Sequence, residues 1–349
     1  MSTDLTRRRI LFGGATIAGA GLLAACTSNE PEKPANTGPT AAAATGGNAA
    51  PGTTVTIGFS APAADHGWIR AISDNAKAQA GKYTDVKLVQ VDAGKDAPAQ
   101  IAALEALIAQ KPNVIVLLPQ DGAQLTATGK KAMDAGIPVV NLDREFSDAA
   151  ASFTLIKGDN YGMGVSAGHY IGKKLKGKAD AVIAEIAGID TLQLTQDRSK
   201  GFADTLATYG LKVTNRVAAQ FTVQSGQDVT ANLLQAAPKI DAIWNHDDDQ
   251  GVGVLAAIEN AGRDEFIMVG GAGSKNAMQA IQSGDSVLKA TVIYPSTQAA
   301  DGVKLARLLV QGKSMSDLVE VEVPRTVQLY APVVTADNVD QFIGTAFAS

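Results

Sequence analysis

Hydrophobic and polar positions alternate between two patterns along residues 55–293. Short runs rich in β-branched residues are apolar without interruption, which predicts strands buried on both faces. Between them lie stretches with apolar residues at helical spacing, such as Ile101, Leu104 and Ile108 in a helix predicted for 97–110. Such alternation predicts parallel sheets with right-handed crossovers and helices on both faces.

The pattern runs through the chain twice. In the first unit the predicted strands are 55–59, 86–92, 114–119, 138–143 and 153–157, and the predicted helices are 69–80, 97–110 and 124–135. In the second unit the strands are 181–187, 213–219, 242–245, 266–270 and 288–293, and the helices are 164–175, 194–208, 226–236, 251–261 and 274–282. Two similar doubly wound α/β lobes with a ligand cleft between them are therefore expected.

The last part of the chain indicates a hinge that is crossed more than once. It contains a predicted helix at 297–311, extended segments at 319–323 and 327–333, and a terminal helix at 336–343. A chain that leaves one lobe, builds another and returns makes several crossings. We expect a first lobe of residues 55–158 and 294–326, and a second lobe of residues 159–293 and 327–349.

The first 54 residues read as an export leader and a tether. Residues 6–11 form a twin-arginine pattern, followed by an apolar run that is too short to span a membrane. The residues up to Cys26 resemble a bacterial lipobox, although a stray cysteine in a signal peptide is the alternative. We expect a signal peptide at 1–25 and a lipidated, disordered tether at 26–54, because the latter has almost no large apolar side chains.

Charge and cysteine content exclude several classes of function. Removal of residues 1–25 leaves 27 basic and 34 acidic residues, a net charge of −7 without a basic run, which argues against a nucleic-acid partner. Because Cys26 is the only cysteine, the folded part has neither a disulfide framework nor a cysteine metal cluster.

No motif for a cofactor or for catalysis is visible. The glycines at 162–168 and at 271–273 lack the G-x-G-x-x-G spacing of a dinucleotide loop, and the first group predicts close helix packing instead. Neither a G-x-S-x-G elbow nor an H-E-x-x-H motif is present. We expect no cofactor and no enzymatic activity.

The segment 138–144 carries the most informative chemistry. It reads as a buried parallel strand that ends in Asp143 and Arg144, at the edge where open α/β sheets bind ligands. A carboxylate with two acceptors and a guanidinium with five donors can hold a vicinal diol from both sides. The alternative is an ion pair that caps the sheet edge.

Two further strand ends offer candidate ligand contacts. Trp68 follows the first strand and could stack on a sugar ring, or it could pack on the sheet as a helix-start aromatic. The acidic run at 245–250 could hold a cation, but its neighbouring side chains point in different directions. We expect Asp247 or Asp248 to face the cleft and the others to cap the following helix.

Together these motifs resemble the type I periplasmic sugar-binding proteins, in particular the ribose- and galactofuranose-binding branch, over about residues 55–334. The resemblance rests on 142–144 after a Pro-Val-Val strand, on 197–202, on 246–248 before an alanine-rich helix, and on 288–292. It implies that the sugar is contacted by Trp68, Asp143, Arg144, Arg198 and Asp247, with Phe221 as a second stacking ring.

The sequence also departs from that family. Asp247 stands where the family usually has Asn, residues 271–273 replace a Phe-Asp-Gly strand end, and Tyr294 stands near the place of a customary Gln. These changes argue against ribose itself and leave another pentose, a hexose or a sugar alcohol open.

The resemblance implies a monomeric, lipid-anchored solute-binding component of an ABC importer, on the outer face of the cell membrane, that delivers a small sugar or polyol to a permease by hinge closure. One alternative is the ligand-sensing module of a membrane receptor. Another is a carbohydrate-active lipoprotein enzyme, which requires Asp143 and Asp247 about 5–9 Å apart.

Overall fold

The computed structural model describes residues 48–313, 315 and 323–349. The predicted signal peptide, the lipidation of Cys26, most of the tether and most of the extended segment at 319–323 lie outside the described residues. Within that described part, no helix has the length and apolar character needed to cross a membrane.

The first lobe is a sheet with helices on both faces. Its strands are β1 (Val55–Ser60), β2 (Val86–Gln90), β3 (Val114–Leu117), β4 (Val139–Leu142), β5 (Thr154–Gly158) and β11 (Thr326–Leu329). Its helices are α1 (Gly67–Ala80), α2 (Ala97–Ala109), α3 (Gly122–Asp134) and α9 (Gln298–Gln311). The strand order is β11-β5-β4-β3-β1-β2, and every pair is parallel.

The second lobe repeats this arrangement. Its strands are β6 (Ile183–Ala187), β7 (Asn215–Ala218), β8 (Ala242–Asn245), β9 (Ile267–Ala272), β10 (Leu288–Ile293) and β12 (Val333–Thr335). Its helices are α4 (Asn160–Lys174), α5 (Gln193–Thr208), α6 (Val223–Ala236), α7 (Asp248–Asn260) and α8 (Lys275–Ser283). The order is β12-β10-β9-β8-β6-β7, parallel except for the antiparallel edge strand β12.

In each sheet the strand order proceeds in both directions from the first strand, which is β1 in the first lobe and β6 in the second. The strands at the centre of each sheet are fully buried, as β3, β4, β6 and β8 show. Ligands bind outside the carboxyl ends of such strands, where the strand order reverses. The predicted fold class, α/β with two similar doubly wound parallel-sheet lobes, is confirmed.

The boundary expected at residues 326 and 327 is wrong. Strand β11 pairs with β5 from Thr326 to Leu329, so the chain stays in the first lobe beyond the expected boundary. It crosses only between Leu329 and Val333, where the sequence Tyr330-Ala331-Pro332 interrupts the extended stretch that had been predicted as one segment. The other crossings lie between β5 and α4 and between β10 and α9.

The predicted terminal helix at 336–343 is replaced by two 3-10 turns, Val339–Gln341 and Ile343–Thr345. The side chain of Asn338 accepts from the N–H of Thr335 at 2.8 Å and donates to the carbonyl of Val333 at 3.0 Å. Such bonds from a side chain to nearby backbone compete with a regular helix.

The last residues of the expected tether are bound to the folded part of the chain. Arg307 donates to the carbonyl of Asn48 at 2.6 Å and to that of Ala50 at 2.8 Å, while the N–H of Gly52 donates to Asp85. Residues 48–53 therefore lie against the first lobe, and the prediction of a disordered segment through residue 54 is wrong for this stretch.

Close packing of α4 on α5 explains the glycines at 162–168. A Cβ on Gly164 would lie 2.1 Å from the carbonyl oxygen of Arg198, and one on Gly201 would lie 2.1 Å from that of Tyr161. The two helix backbones therefore approach more closely than side chains would permit, and the predicted packing role of this glycine group is confirmed.

We expect Gly164→Ala to lower the free energy of unfolding by about 1–3 kcal/mol, because the new methyl group forces the two helices apart. Urea unfolding measures this. Gly81→Ala is the matched control, since its Cβ would meet only ordinary contacts of 3.4 Å or more and its backbone is already helical. Equal stability of the Gly164 variant and the wild type would show that α4 and α5 separate without cost.

Candidate functional site

A small cavity lies between the two lobes at the carboxyl ends of their strands. Its volume is about 20 Å³, room for about one water molecule. It is lined by His66, Trp68, Asp143, Arg144, Leu194, Arg198, Phe221, Asp247 and Tyr294. The structure thus brings together all seven residues that the sequence and the family resemblance indicated as ligand contacts, together with His66 and Leu194. We call these nine residues the cleft pocket.

Asp143 and Arg144 follow β4 in an unusual turn. Asp143 has a φ of 61°, in the left-handed region, and the N–H of Arg144 donates to the carbonyl of Leu142 at 2.7 Å. The carboxylate of Asp143 accepts from the hydroxyl of Tyr294, whereas Arg144 donates to the carbonyls of Pro119 at 3.3 Å and Gln120 at 2.6 Å. Each group is thus held by a different partner.

Strained backbone recurs around the pocket. Phe221, after β7, has a φ of 62°, and Ala272, at the end of β9, has a φ of 82°. The N–H of Phe221 is held by the side chain of Gln250 at 3.2 Å. Non-glycine residues in this region of φ cost about 1–3 kcal/mol each and concentrate at ligand sites. The strain at Asp143 and Phe221 turns both side chains into the pocket.

Arg198 lies on α5 and is fixed by partners in the second lobe. Its Nε donates to the side chain of Asn160 at 2.9 Å, and its Nη1 donates to the carbonyl of His246 at 3.2 Å. The guanidinium lies 4.4 Å from the ring centroid of Tyr294 and 5.9 Å from that of Phe221. Contact with two aromatic rings holds this cation in a buried position.

Trp68 connects the lobes through its backbone and its ring. Its N–H donates to Asp249 of α7 at 3.0 Å, and its indole N–H donates to the carbonyl of Tyr294 at 3.1 Å. The Trp68 and Tyr294 ring centroids lie 5.6 Å apart. A carboxylate at the amino-terminal end of α1 also interacts favourably with the helix dipole. Asp249 therefore helps to hold the cleft closed.

The three acids of the run at 245–250 have separate roles. Asp247 lines the pocket and caps α7, accepting from the N–H of Asp249 at 2.8 Å. Asp248 points away from the pocket and accepts from the N–H groups of Gly271 and Gly273, each at 2.9 Å. Of the two acids expected to face the cleft, Asp247 faces it and Asp248 does not. Asp247 also caps α7, a role that had been expected of the other acids, and Asp248 binds the backbone at the end of β9.

Burial dominates the electrostatics of this acidic run. It raises the pKa of Asp247, and together with the neighbouring charge of Asp247 it raises the pKa of Asp249 to about 6. Burial by itself would lower the pKa of His66, but the hydrogen bond with Asp65 and the nearby Asp247 and Asp249 raise it above its usual value. The pKa of Asp249 therefore lies nearer to neutral pH than that of an ordinary carboxyl, and the pKa of His66 lies above its usual value.

Asp249→Asn is expected to flatten the pH dependence of stability between about pH 4 and pH 6. A carboxyl with a raised pKa binds its proton more tightly in the folded chain than in the unfolded one, so stability is lost as the pH rises through this window. The loss is on the order of 2 kcal/mol and is absent from the variant. Urea unfolding at a series of pH values measures the difference, and parallel curves for the two proteins would contradict the expectation.

Sequence reasoning missed three residues at the site. His66 was visible in the loop before Trp68 but was given no role. Leu194 lies one helical turn before Arg198, so the i, i+4 rule would have placed it on the same face of α5. Asn160, the first residue of α4, holds both Arg198 and, at 3.0 Å, the hydroxyl of Tyr294. No local signal marked Asn160, because both partners are distant in sequence.

A larger cavity of about 360 Å³ opens next to the cleft pocket. It shares Asp143, Arg144 and Leu194 with the pocket and is otherwise lined by the first turns of α3 and α5, by the loops before α5 and after β4, and by Lys157 and Asn160. Within residues 48–313, 315 and 323–349, no group of three or more His, Cys, Asp or Glu side chains is arranged to hold a metal ion.

Two α/β lobes that enclose charged and aromatic side chains between their strand ends define a two-lobed ligand-binding protein. Residues 57–314 match the model of the periplasmic binding protein domain, and the chain belongs to this family. The chain is 31% identical over 291 residues to the ribose import binding protein of Bacillus subtilis, an alignment that covers 81% of this chain and 89% of that protein. The resemblance stated from the sequence motifs is confirmed.

Solved structures show the same fold with different ligands. A Mycobacterium smegmatis protein in complex with β-D-fucofuranose is 25% identical, with a TM-score of 0.75 over 84% of this chain and 95% of that one. The fructose-binding periplasmic domain of a hybrid two-component system is 25% identical, with a TM-score of 0.73 over 82% of this chain and 92% of that one. The named relatives are binding proteins.

Proposed function

We propose that this protein is the extracytoplasmic solute-binding component of an ABC importer and that it binds a small sugar or polyol in the interlobe cleft. One observation carries the proposal: both lobes contribute side chains to a single pocket that contains two guanidiniums, two carboxylates and three aromatic rings. Guanidinium and carboxylate groups bind hydroxyls from both sides, and rings stack on the apolar face of a sugar. Trp68, Asp143, Arg144, Arg198, Phe221, Asp247 and Tyr294 are the proposed ligand contacts.

Hinge closure is the proposed mechanism. The three crossings form a hinge about which the two lobes can move apart. A pocket of 20 Å³ admits a sugar only after the lobes have moved apart. The ligand then stabilises the closed state because it contacts both lobes there. A permease that docks on both lobes would recognise only this state. No bond is made or broken in this mechanism, so the proposal assigns no enzymatic activity to the protein.

A lipid on Cys26 is the proposed anchor, with export by the twin-arginine route and a monomeric protein on the outer face of the cell membrane. The lipobox-like residues before Cys26 support the lipid anchor. Cys26→Ser should move the exported protein from the membrane fraction to the soluble fraction, and an unchanged distribution would contradict the anchor.

A calorimetric screen of pentoses, hexoses and polyols with the purified chain tests the ligand class. Saturable binding of at least one member with a micromolar or lower dissociation constant is the expected result. A panel without a hit would refute the proposed ligand class. Slow hydrolysis of a glycoside by the same sample would favour the enzyme alternative.

The likeness to a periplasmic domain of a two-component system favours one second candidate, a ligand-sensing module. It would use the same cleft. Copurification of the ligand-loaded chain with a histidine kinase, rather than with a permease, would distinguish the two roles.

A further inference from the structure

A buried carboxylate lies in the second lobe, close to residues that line the cleft pocket. Glu185, in the middle of β6, is 1% exposed, and every other residue of this strand is buried and apolar. Its Oε1 accepts from the hydroxyl of Ser199 on α5 and lies 2.9 Å from Nε2 of His246, directly after β8. An apolar side chain at this place would fill the sheet without the cost of burying a charge. Packing alone therefore does not explain the carboxylate.

Glu185 is ionised and His246 is neutral near pH 7. Burial by itself would raise the pKa of Glu185, but the hydrogen bonds from His246 and Ser199 hold it below its usual value. The charge of Arg216, whose Nε lies 3.6 Å from Oε2, acts in the same direction. Burial lowers the pKa of His246, although the bond to Glu185 opposes this shift. The neutral ring therefore carries its proton on Nε2 and donates it to the carboxylate.

Both residues that bond to Glu185 are next to proposed ligand contacts. Ser199 directly follows Arg198 on α5, and His246 directly precedes Asp247. The carbonyl of His246 also accepts from Nη1 of Arg198 at 3.2 Å. The bond of Ser199 joins α5 to β6, and the bond of His246 joins the end of β8 to the same carboxylate. One carboxylate thus connects the two places from which Arg198 and Asp247 enter the pocket.

The ring of His246 is also fixed on its other side. Its centroid lies 4.1 Å from that of Trp244, which in turn lies 4.7 Å from the ring of Phe202 on α5. His246 has no exposed surface. A ring enclosed in this way does not turn away from Glu185 without displacing its neighbours. The backbone carbonyl that holds Arg198 is therefore fixed relative to Glu185.

We propose that Glu185 is a positioning residue of the ligand site. Through Ser199 its carboxylate sets the position of Arg198. Through His246 it sets the position of Asp247. It thereby controls the affinity for the ligand, although it does not line the cleft pocket. This inference rests on the proposed function, because it takes Arg198 and Asp247 to be ligand contacts. Groups that hold contact residues in place change ligand affinity when they are replaced, because binding needs the contacts in one geometry.

Calorimetry tests the inference with the member of the sugar and polyol panel that the wild type binds most tightly. Glu185→Leu removes both hydrogen bonds and should weaken this binding by about tenfold or more. Glu185→Gln should recover most of the loss, because its Oε1 can still accept from both partners. Thr195→Val is the control and should leave the affinity unchanged. It removes from α5 a buried hydroxyl that has no hydrogen-bond partner in the described part of the chain.

A double-mutant cycle separates positioning from a merely structural role. Ser199→Ala removes the hydroxyl that connects α5 to Glu185, and it should weaken binding by roughly threefold or more. In an Arg198→Ala background the same change should have little effect, because the contact that Ser199 positions is already absent. Equal weakening by Ser199→Ala in the two backgrounds would overturn the inference. This cycle also provides the test if Glu185→Leu does not fold.

The outcomes separate this inference from the proposed function. If a sugar or polyol binds the wild type and Glu185→Leu with the same affinity, the inference alone is overturned. If neither the wild type nor any variant binds a member of the panel, the proposed function is overturned, and the inference falls with it.

Discussion

Asp85→Ala is expected to lower the free energy of unfolding by about 3–5 kcal/mol, because it leaves the guanidinium of Arg307 buried without its counter-charge. Arg307 is 1% exposed and Asp85 4%. Two hydrogen bonds, at 2.9 and 2.7 Å, join their side chains, and Gln311 donates to the same carboxylate at 2.8 Å. These bonds hold the pKa of Asp85 well below its usual value.

Chemical denaturation of the variant measures this loss. Asp134→Ala is the matched control, since Asp134 pairs with Lys130 on the exposed surface of α3, where solvent screens the pair and its removal changes stability little. Replacing both members, as in Asp85→Leu with Arg307→Met, should recover part of the stability because no buried charge remains. A change below about 1 kcal/mol in Asp85→Ala would mean that water reaches Arg307 in the folded protein.

Arg144→Ala is expected to weaken binding of the best ligand from the polyol screen by about 2–4 kcal/mol, or about 30- to 700-fold. Arg144 lines both cavities, and burial lowers its pKa although Asp143 and other acids oppose the shift. Its guanidinium is held in place by the carbonyls of Pro119 and Gln120. Removing it leaves buried ligand hydroxyls without a charged donor.

Calorimetry on the variant checks this effect, with Arg70→Ala as the control. Arg70 lies close to Trp68 in sequence, but its side chain is on the exposed face of α1. Retained stability in Arg144→Ala with lost affinity is the expected combination. Unchanged affinity would remove Arg144 from the proposed set of ligand contacts.

Much of the site could be predicted because the carboxyl ends of parallel strands lie at the same edge of a sheet. Asp143 and Asp247 each follow a buried strand, and knowledge of the α/β pattern sufficed to expect them at the edge where ligands bind. Arg198 lies inside a helix and Phe221 in a loop, and only the family resemblance indicated these two. Ligand contact by these residues stays a prediction.

Contacts between distant segments could not be predicted. Asp249 caps α1 from 181 residues away, and the pair of Arg307 and Asp85 spans 222 residues. Neither contact produces a pattern that is visible in a short window of the sequence. The position of Tyr294 across the pocket likewise depends on where β10 ends relative to β5, a relation that only the packed lobes define.

The clamp of Arg307 on Asn48 and Ala50 has a consequence for motion. It fastens the segment that leads back to Cys26 to the first lobe alone. A chain tied to a membrane through Cys26 would therefore be attached to the anchor at its first lobe, and the second lobe would be connected to the anchor only through the three crossings.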